Sequence, residues 1–309
     1  MVELPTTQLG RTGFEVTRLS YGAMELRGAP RGRPVSDAQA ATMLNAVLDS
    51  GINLIDTSPD YGVSEEQIGR AISHRREEYF LASKCGCAIG QPPAPAGEVS
   101  LHVFTPENVR AGVEQSLRRM QTDHLDLVQF HAIPSQAVLE GGALEALRDL
   151  QREGKVRFLG MSGTLPHLTD HVAMGAFDAF QIPYSALEPE HDVAIGSAAS
   201  AGAGTIIRGG VARGAPAPDQ DPEVMAGREQ VNAERRSLWE VAELDALLDG
   251  SSRMEFLLRY TISHPGMHTT IVGTMNPVHL AANVAAAAKG PLSADAYAEA
   301  SRRLQDAAT

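Results

Sequence analysis

Short apolar segments rich in β-branched and aromatic residues recur along the whole chain. They cover residues 18–22, 53–56, 79–84, 125–130, 156–162, 179–183, 204–207 and 269–273. The first is the weakest, and most lack the apolar–polar alternation of a strand with one wet face. Continuous apolar runs of this length are typical of parallel strands that are covered on both faces. The pattern therefore predicts a series of buried parallel strands.

Helical signals fill the intervals between these segments. Four residue pairs mark helix starts: Ser36 with Gln39, Ser64 with Gln67, Thr105 with Pro106, and Asn276 with Pro277. The first two pairs have capping-box spacing, in which the serine accepts from a free N–H and the glutamine reaches back. The last two put a cap residue before a proline at the first helical position. Strands and helices thus alternate along the chain.

Eight strands alternating with helices predict a (β/α)8 TIM barrel. A doubly wound open sheet is the competing fold, but no predicted strand leads into the glycine-rich fingerprint with which such sheets bind dinucleotides. The sequence shows no second-domain boundary, so we expect residues 1–309 to form a single barrel domain.

Two intervals are too long for ordinary connections. Residues 85–105 follow the third predicted strand and residues 208–250 follow the seventh; both are rich in glycine and proline at their start. Loops after barrel strands lie at the C-terminal mouth, where barrel active sites are built. We therefore expect both segments to be long mouth loops that shape a binding site.

Composition excludes several classes of function. The 309 residues carry a formal net charge of −12, which disfavours binding to nucleic acid or to anionic membranes. No apolar run is long enough to span a membrane, and the N-terminus has no secretory pattern. The two cysteines, Cys85 and Cys87, are too close to staple the fold. A reducing, cytoplasmic location is expected.

Titratable residues stand at the ends of three successive predicted strands. Asp56, Lys84 and His131 end or follow their strands, and Tyr61 comes five residues after Asp56. Lys84 is one of three lysines against 23 arginines, which suggests a place where a compact amine is needed. An Asp–Lys pair beside a tyrosine favours the phenolate, so the tyrosine becomes a better proton donor to a developing alkoxide. A neighbouring histidine can orient and polarise a carbonyl.

Over nearly its whole length the sequence resembles the aldo-keto reductase family. The similarity begins at LGRTGFEVTRLSYGAM, which looks like the family's N-terminal β-hairpin and first strand. It is strongest in GINLIDTSPDYGVSEEQIGRAI and continues through LASKCG, LDLVQFHA and RYTISHPGMHTTIVGTMNPVHLAANV. The resemblance implies a barrel with a nicotinamide cofactor, a monomeric state and no metal. It also implies that Asp56, Tyr61, Lys84 and His131 form the catalytic tetrad.

The same resemblance assigns roles around the cofactor. Ser162 and Gln181 would hold the carboxamide, Tyr184 would stack on the nicotinamide ring, and Arg208–Gly210 would lie near the pyrophosphate. Besides Ser162, Gln181 and Tyr184, the residues implied at the cofactor are Gly22, Met24, Arg208, Gly209, Gly210, Gly273, Thr274, Asn276, His279 and Asn283. The last four would surround the adenosine end.

Cofactor preference is the point at which the sequence departs from the family pattern. Many relatives have Ser-Asn where this chain has Ser162-Gly163, and Gly273 and His279 stand where NADP-dependent members place a cation. Ala282 replaces the usual glutamate before the adenine-contacting asparagine. The family's habit favours NADP(H), and the missing cations keep NAD(H) open.

Other functional hypotheses rest on fewer residues. Cys85-Gly-Cys87 with His102 resembles a metal site, but Cys-x-Cys is not a usual zinc spacing, so free thiols and no metal are expected. A metal-dependent hydrolase would need more ligands at the strand ends than His131 and Asp56. A redox-sensing or regulatory subunit that binds the same cofactor is the main alternative to an enzyme. A small carbonyl or alcohol (aldehyde, ketone or sugar) is the expected substrate, of unknown identity and direction.

Overall fold

Parallel strands form a closed barrel at the centre of the protein. The computed structural model describes residues 3–29, 32–91, 100–131, 137, 140–216 and 229–307. The eight barrel strands are β3 (Leu19–Gly22), β4 (Leu54–Asp56), β5 (Phe80–Cys85), β6 (Leu125–His131), β7 (Val156–Ser162), β8 (Ala179–Pro183), β9 (Gly204–Arg208) and β10 (Thr269–Val272). Each pairs in parallel with the next, and β10 closes the barrel on β3. Every predicted apolar segment overlaps one of these strands, so the predicted (β/α)8 barrel is confirmed.

An antiparallel hairpin precedes the barrel. Its strands are β1 (Thr6–Gln8) and β2 (Glu15–Thr17). Leu9 and Val16 from this hairpin belong to the cluster that fills the barrel interior together with Leu54, Phe80, Ala82, Leu127, Ala179 and Ile206. These interior residues come from the N-terminal parts of their strands. The hairpin therefore packs against the N-terminal end of the barrel and leaves the C-terminal end for the site.

A second hydrophobic cluster lies between the strands and the surrounding helices. The helices are α1 (Asp37–Asp49), α2 (Ser64–Ile72), α3 (Pro106–Met120), α4 (Ala143–Arg152), α5 (His167–Ala173), α6 (Asp192–Ser200), α7 (Glu229–Val241), α8 (Arg253–Ser263), α9 (Pro277–Ala288) and α10 (Ala294–Ala307). Because side chains alternate between the two faces of a strand, a strand such as β5 supplies both clusters, with Leu81 facing the helices and Phe80 and Ala82 facing the interior.

Three of the four predicted helix starts are confirmed. Ser36 and Gln39 form a reciprocal capping box on α1, Thr105 accepts from the backbone of Asn108 ahead of Pro106, and Asn276 caps α9. Each satisfies a backbone N–H that the helix itself leaves without an acceptor.

The capping box predicted at Ser64 is wrong. Ser64 is the first residue inside α2, and its hydroxyl donates to the carbonyl of Ala23 at 2.9 Å and contacts the Thr57 hydroxyl at 2.9 Å. Gln67 binds Asp37 instead of reaching back. The Ser64 hydroxyl is therefore used in tertiary contacts with neighbouring segments and does not cap the helix, as its local spacing had suggested.

The two long segments leave the C-terminal ends of β5 and β9. In the first, Cys87 and His102 form an antiparallel bridge, while residues 92–99 lie outside the described part. The second contains α7, where buried Arg235 donates to the Ala212 carbonyl and pairs with Glu188; its residues 217–228 are also outside the described part. The described residues of both segments therefore continue from the C-terminal ends of their strands, and their role as mouth loops stays a prediction.

No helix among the described residues is long and apolar enough to cross a membrane.

Candidate active site

Polar side chains replace apolar ones on the inner face of four strands as they approach the C-terminal end. Written from apolar to polar, the pairs are Leu54 and Asp56, Ala82 and Lys84, Leu127 and Gln129, and Ala179 and Gln181. Residues two apart on a strand share a face, so the polar members form a layer directly above the apolar interior. The four strands thereby bring a carboxylate, an amine and two amides together.

Asp56 and Lys84 form a buried ion pair at the centre of this layer. The Lys84 ammonium donates to Asp56 Oδ2 at 2.7 Å and to the Thr57 carbonyl at 2.8 Å, and both side chains are 1% exposed. Burial opposes the lysine charge, but the Asp56 carboxylate and Tyr61 outweigh that effect and raise the pKa of Lys84. The lysine therefore stays charged at neutral pH.

Two amides hold the other oxygen of Asp56. Gln129 and Gln181 each donate from Nε2 to Asp56 Oδ1 at 2.8 Å, and Ser162 donates to Gln181 Oε1 at 3.2 Å. Charge-assisted bonds of this kind fix the position of a carboxylate. Sequence reasoning missed Gln129. The available signal was its place on β6, two residues before His131 on the same face.

Tyr61 lies above the lysine on the turn between β4 and α2. The Lys84 ammonium is 4.9 Å from the centre of the Tyr61 ring. Gly62 holds this turn close to the first barrel loop: its φ is +49°, and a Cβ there would meet the Arg27 carbonyl oxygen at 2.1 Å. The turn is therefore fixed by a glycine that no other residue can replace without strain, which presents the tyrosine to the mouth.

His131 ends β6, one step nearer the mouth than Gln129 on the same strand face. Its Nδ1 lies 3.7 Å from the Cys87 sulfur, and its ring centre is 4.9 Å from that of His102. Three members of the predicted tetrad, Asp56, Tyr61 and Lys84, are thus linked through Lys84. The fourth, His131, lies on β6, next to the strand that carries Lys84.

The structure contradicts the predicted stacking of Tyr184 on a nicotinamide ring. Tyr184 is 1% exposed, and its ring packs against His264 at 5.0 Å and Tyr260 at 6.5 Å. It follows β8 with the alternation of Phe180 and Ile182, which face the helix layer. The side chain therefore points away from the mouth, and a hydrogen bond to Tyr297 holds it there.

Two arginines lie close together at the mouth after β9. Burial lowers the pKa of Arg208 and of Arg213, and the positive charge of Arg213 lowers the pKa of Arg208 further. Arg208 also interacts electrostatically with Tyr61 and Asp56, so its guanidinium faces the polar layer. The nearby carboxylate, Glu188, is paired with Arg235. Sequence reasoning named Arg208 only for its backbone and did not name Arg213.

The residues predicted at the adenosine end lie around the start of α9. Asn276 uses its side-chain oxygen to cap the helix, and Thr274 accepts from the Asn276 backbone at 3.0 Å. His279 is exposed, and Asn283 follows it by one helical turn. Gly22 and Gly273 face each other at the ends of β3 and β10, where a Cβ on Gly273 would meet the Gly22 carbonyl oxygen at 2.6 Å. Met24, just beyond β3, is partly exposed.

Comparison with known proteins identifies the family. The profile of the aldo/keto reductase family matches residues 18–302. The chain belongs to the aldo/keto reductase family. It is 28% identical to L-galactose dehydrogenase of Arabidopsis thaliana over 302 residues, covering 93% of this chain and 89% of that protein. It is 29% identical to the NADH-specific methylglyoxal reductase of Escherichia coli over 193 residues, 58% of this chain and 59% of that one.

Solved structures agree with this assignment. The holo form of aldo-keto reductase AKR11C1 from Bacillus halodurans superposes with a TM-score of 0.81 at 26% identity, covering 99% of this chain and 96% of that one. As an aldo/keto reductase, the protein is an oxidoreductase of a family that uses a nicotinamide cofactor and acts on small carbonyl compounds.

Proposed function

We propose that this aldo/keto reductase interconverts a carbonyl compound and its alcohol, with Tyr61 as the general acid and base. The buried Asp56–Lys84 pair beneath the Tyr61 ring is the observation that carries the proposal. A charged lysine under a tyrosine stabilises the phenolate, so the hydroxyl gives its proton more readily. In the reverse direction the phenolate takes the alcohol proton.

Each of the other site residues supports that proton transfer. Asp56 keeps Lys84 charged, and the amides of Gln129 and Gln181 hold the Asp56 carboxylate in place. His131 would orient the carbonyl oxygen towards Tyr61 by a hydrogen bond from its imidazole. A reduction is balanced when a hydride reaches the carbonyl carbon and the Tyr61 proton reaches the oxygen.

The mouth offers a fit for a dinucleotide. The reduced nicotinamide supplies the hydride when it is bound. Arg208 and Arg213 lie close together and are largely desolvated, and the carboxylate that acts on both, Glu188, is paired with Arg235, which suits a pyrophosphate. A guanidinium plane can also stack on an aromatic ring, so Arg208 replaces Tyr184 as our candidate for contact with the nicotinamide. Ser162 and Gln181 stay the candidates for its carboxamide.

Removal of the Tyr61 hydroxyl tests the proposal. Tyr61→Phe should lower the turnover number by about 10²–10⁴-fold, the usual contribution of a general acid, while the cofactor dissociation constant changes little. Tyr79→Phe is the matched control, because Tyr79 lies just before β5 at the opposite end of the barrel and donates to the Ile72 carbonyl. Equal activity of both variants on a carbonyl panel would refute the assignment of Tyr61.

NADP(H) is our preferred cofactor, with NAD(H) as the second candidate. Thr274, Asn276, His279 and Asn283 around the start of α9 would hold the adenosine end, and free backbone N–H groups there suit a phosphate. The second candidate is favoured by the absence of Lys and Arg between residues 273 and 283 and by the relative named for NADH.

Titration with NADPH and then NADH decides between the two cofactors. Quenching of Trp239, the single tryptophan, reports binding. At least tenfold tighter binding of NADPH supports our preference, and tighter binding of NADH contradicts it. The variant His279→Ala should weaken NADPH more than NADH if this residue contacts the 2′-phosphate. Binding of neither would remove the redox assignment.

A further inference from the structure

A cysteine and two histidines from separate parts of the chain meet beside the candidate active site. Cys87, His102 and His131 each offer a ligand atom, and these atoms all lie within 4.8 Å of one another. Cys87 and His102 belong to the segment after β5, and His131 ends the neighbouring strand β6. No spacing rule finds this set, because His102 and His131 are 29 positions apart along the sequence.

The set differs from the one that the Cys-x-Cys spacing suggests. Cys85 is the last residue of β5 and lies in the hydrophobic cluster between strands and helices, with 1% of its surface exposed. Cys87 lies two residues beyond it, in a short antiparallel ribbon formed by residues 86–88 and 101–103. Its sulfur contacts His131 there. The structure therefore leaves Cys85 out and replaces it with a histidine from another strand.

We propose that Cys87, His102 and His131 bind a zinc-class divalent cation. Thiolates and imidazoles are both zinc ligands, and three protein ligands leave the fourth tetrahedral position to water or another small ligand. Bonds of about 2.3 Å to sulfur and 2.0–2.1 Å to nitrogen at tetrahedral angles separate the sulfur from each nitrogen by about 3.6 Å. The observed distance between Cys87 Sγ and His131 Nδ1 is 3.7 Å.

The backbone holds two of the ligands in place. Cys87 and His102 face each other across the ribbon, which is closed by hydrogen bonds from Ala88 to Leu101 and from Val103 to Gly86. Directly opposite residues put their Cβ atoms about 4.5–5.5 Å apart. A Cβ on Gly86 would meet the Phe104 ring at 2.2 Å, so the tight start of this ribbon requires a glycine.

A helix residue ties both strands of the ribbon together. Asn108 on α3 donates to the carbonyls of Cys87 at 3.0 Å and Val103 at 2.8 Å, and accepts from Ile89 at 3.1 Å. Such outer contacts fix ligand orientation before an ion arrives. The ribbon is therefore organised in the same way as the surroundings of a preformed site.

The environment of the donor atoms also favours a cation. The buried His102 Nε2 has no hydrogen-bond partner among the described residues, so a metal would satisfy it. Burial, with Asp60 and Glu65 nearby, raises the pKa of the Cys87 thiol to about 11, so the ion must displace a bound proton. Binding replaces the S–H bond of the thiol by a sulfur–metal bond and releases one proton to water.

Metal binding would slow the reductase. This consequence rests on the proposed function, in which the His131 imidazole serves the carbonyl. An imidazole held by an ion is no longer free to move with the substrate, and the ion with its water occupies space beside it. The cation is therefore an inhibitor acting at the site, and turnover does not need it.

Titration of the full chain with Co²⁺ tests the site without reference to activity. One equivalent should produce the near-ultraviolet thiolate-to-cobalt charge-transfer band, and Zn²⁺ should abolish it by displacement. Cys87→Ala should remove the band and His102→Asn should weaken binding at least tenfold. The matched controls Cys85→Ala and His74→Asn should bind as the unchanged chain does, with thermal unfolding checking that every variant folds.

The outcomes separate the metal site from the proposed function. No thiolate band in the unchanged chain, or equal loss in Cys85→Ala, overturns the metal site. With carbonyl reduction as a second readout, Zn²⁺ should inhibit the unchanged chain and Cys85→Ala but spare Cys87→Ala. Zinc binding without inhibition overturns the inhibitory role alone, and a protein that binds cobalt but reduces no carbonyl contradicts the proposed function alone.

Discussion

At the scale of single residues, three lysines in one chain have different environments. Lys155 pairs with Glu114 and Glu153 and Lys289 pairs with Glu255, all on partly exposed surfaces. Lys84 alone of the three is fully buried, with Asp56 as its counter-ion. A buried charge persists only when its partner and further hydrogen bonds compensate the lost hydration. The scarcity of lysine in the sequence therefore correctly drew attention to Lys84, the buried one.

The Asp56–Lys84 pair makes a prediction about stability. Lys84→Met should lower the free energy of unfolding by about 3–5 kcal/mol, because it leaves a buried carboxylate without its counter-ion. Adding Asp56→Asn should recover at least about 1 kcal/mol, since an amide oxygen still accepts from Gln129 and Gln181. Denaturant unfolding of the two variants measures this, and neither should turn over a carbonyl.

Lys155→Met is the control for that cycle, because its ion pairs are exposed and are worth about 0–1 kcal/mol. If Lys84→Met were no more destabilising than Lys155→Met, the buried pair would not be the organising contact of the site. A double variant less stable than Lys84→Met would show that the carboxylate charge is satisfied in some other way.

Residue identity alone gave an incomplete account of the site. Asp56, Tyr61 and Lys84 could be predicted because each lies at or near a strand end, a local feature of the sequence. Gln129 was missed although it lies two residues before His131 on the same face, since a glutamine in an apolar run has many ordinary explanations. The assignment of Tyr184 was wrong because the side-chain face after β8 is set by packing against His264.

At the scale of elements, close packing of neighbouring helices depends on particular glycines. A Cβ on Gly69 in α2 would lie 2.2 Å from the Arg119 carbonyl oxygen and 2.9 Å from Met120 at the end of α3. Gly196 in α6 has nothing within 4 Å of the same position. Both glycines lie inside helices, so they differ in their surroundings and not in their backbone.

This contrast predicts opposite effects of one chemical change. Gly69→Ala should destabilise the protein by about 1–3 kcal/mol, since α2 and α3 must move apart to admit a methyl group. Gly196→Ala should stabilise it by up to about 1 kcal/mol, since alanine has the higher helix propensity. Thermal unfolding midpoints of the two variants measure the difference, and a shift of the same sign in both would contradict the packing argument.

Element ends were predictable where a cap is local and failed where it is not. Thr105 and Asn276 cap helices through bonds within three residues, so spacing suffices to find them. Ser64 has the same local spacing, but its hydroxyl is bound by Ala23 and Thr57 from other segments. Sequence pattern describes what a residue can do, and competing partners in the fold decide which option is used.

At the scale of the whole molecule, the weakest strand signal lies at the seam of the barrel. β3 closes the barrel on β10, and the Ser20 and Thr269 hydroxyls contact each other there at 2.6 Å. Arg18, just before β3, donates to the carbonyls of Ile262 and Met267 at 2.9 and 3.1 Å. These polar contacts hold β3 in the barrel, although its short apolar pattern is a weak strand signal.

Global stability should fall on mild acidification, because burial lowers the pKa of His171 and also that of His191, His264 and His268. Burial, with His167 nearby, lowers the pKa of His171 to about 4, against about 6.5 in an unfolded chain. Between pH 6.5 and pH 4 the unfolded state therefore binds a proton on His171 more readily than the folded state does. The contribution of this neutral histidine to stability is complete above pH 6.5 and is lost progressively as the pH falls towards 4.

His171→Leu should flatten that dependence. Its buried ring nitrogens have no hydrogen-bond partner among the described residues, so an apolar side chain of similar bulk loses no hydrogen bond there. Denaturant unfolding at pH 7.5 and pH 5 measures the change, with exposed His74→Gln as the control that keeps it. An unchanged pH dependence in His171→Leu would show that other groups control acid stability.

The sequence by itself determined the strands, their order and the ends at which the chemistry sits. Continuous apolar runs need cover on both faces, which a parallel barrel or a doubly wound sheet provides, and the missing glycine-rich fingerprint favours the barrel. Tertiary structure decided which side chains meet across strands: Gln129 on Asp56, Arg213 beside Arg208, and the Cys87 cluster. Such contacts join residues far apart along the chain, so only the closed barrel, which fixes strand neighbours and side-chain faces, determines them.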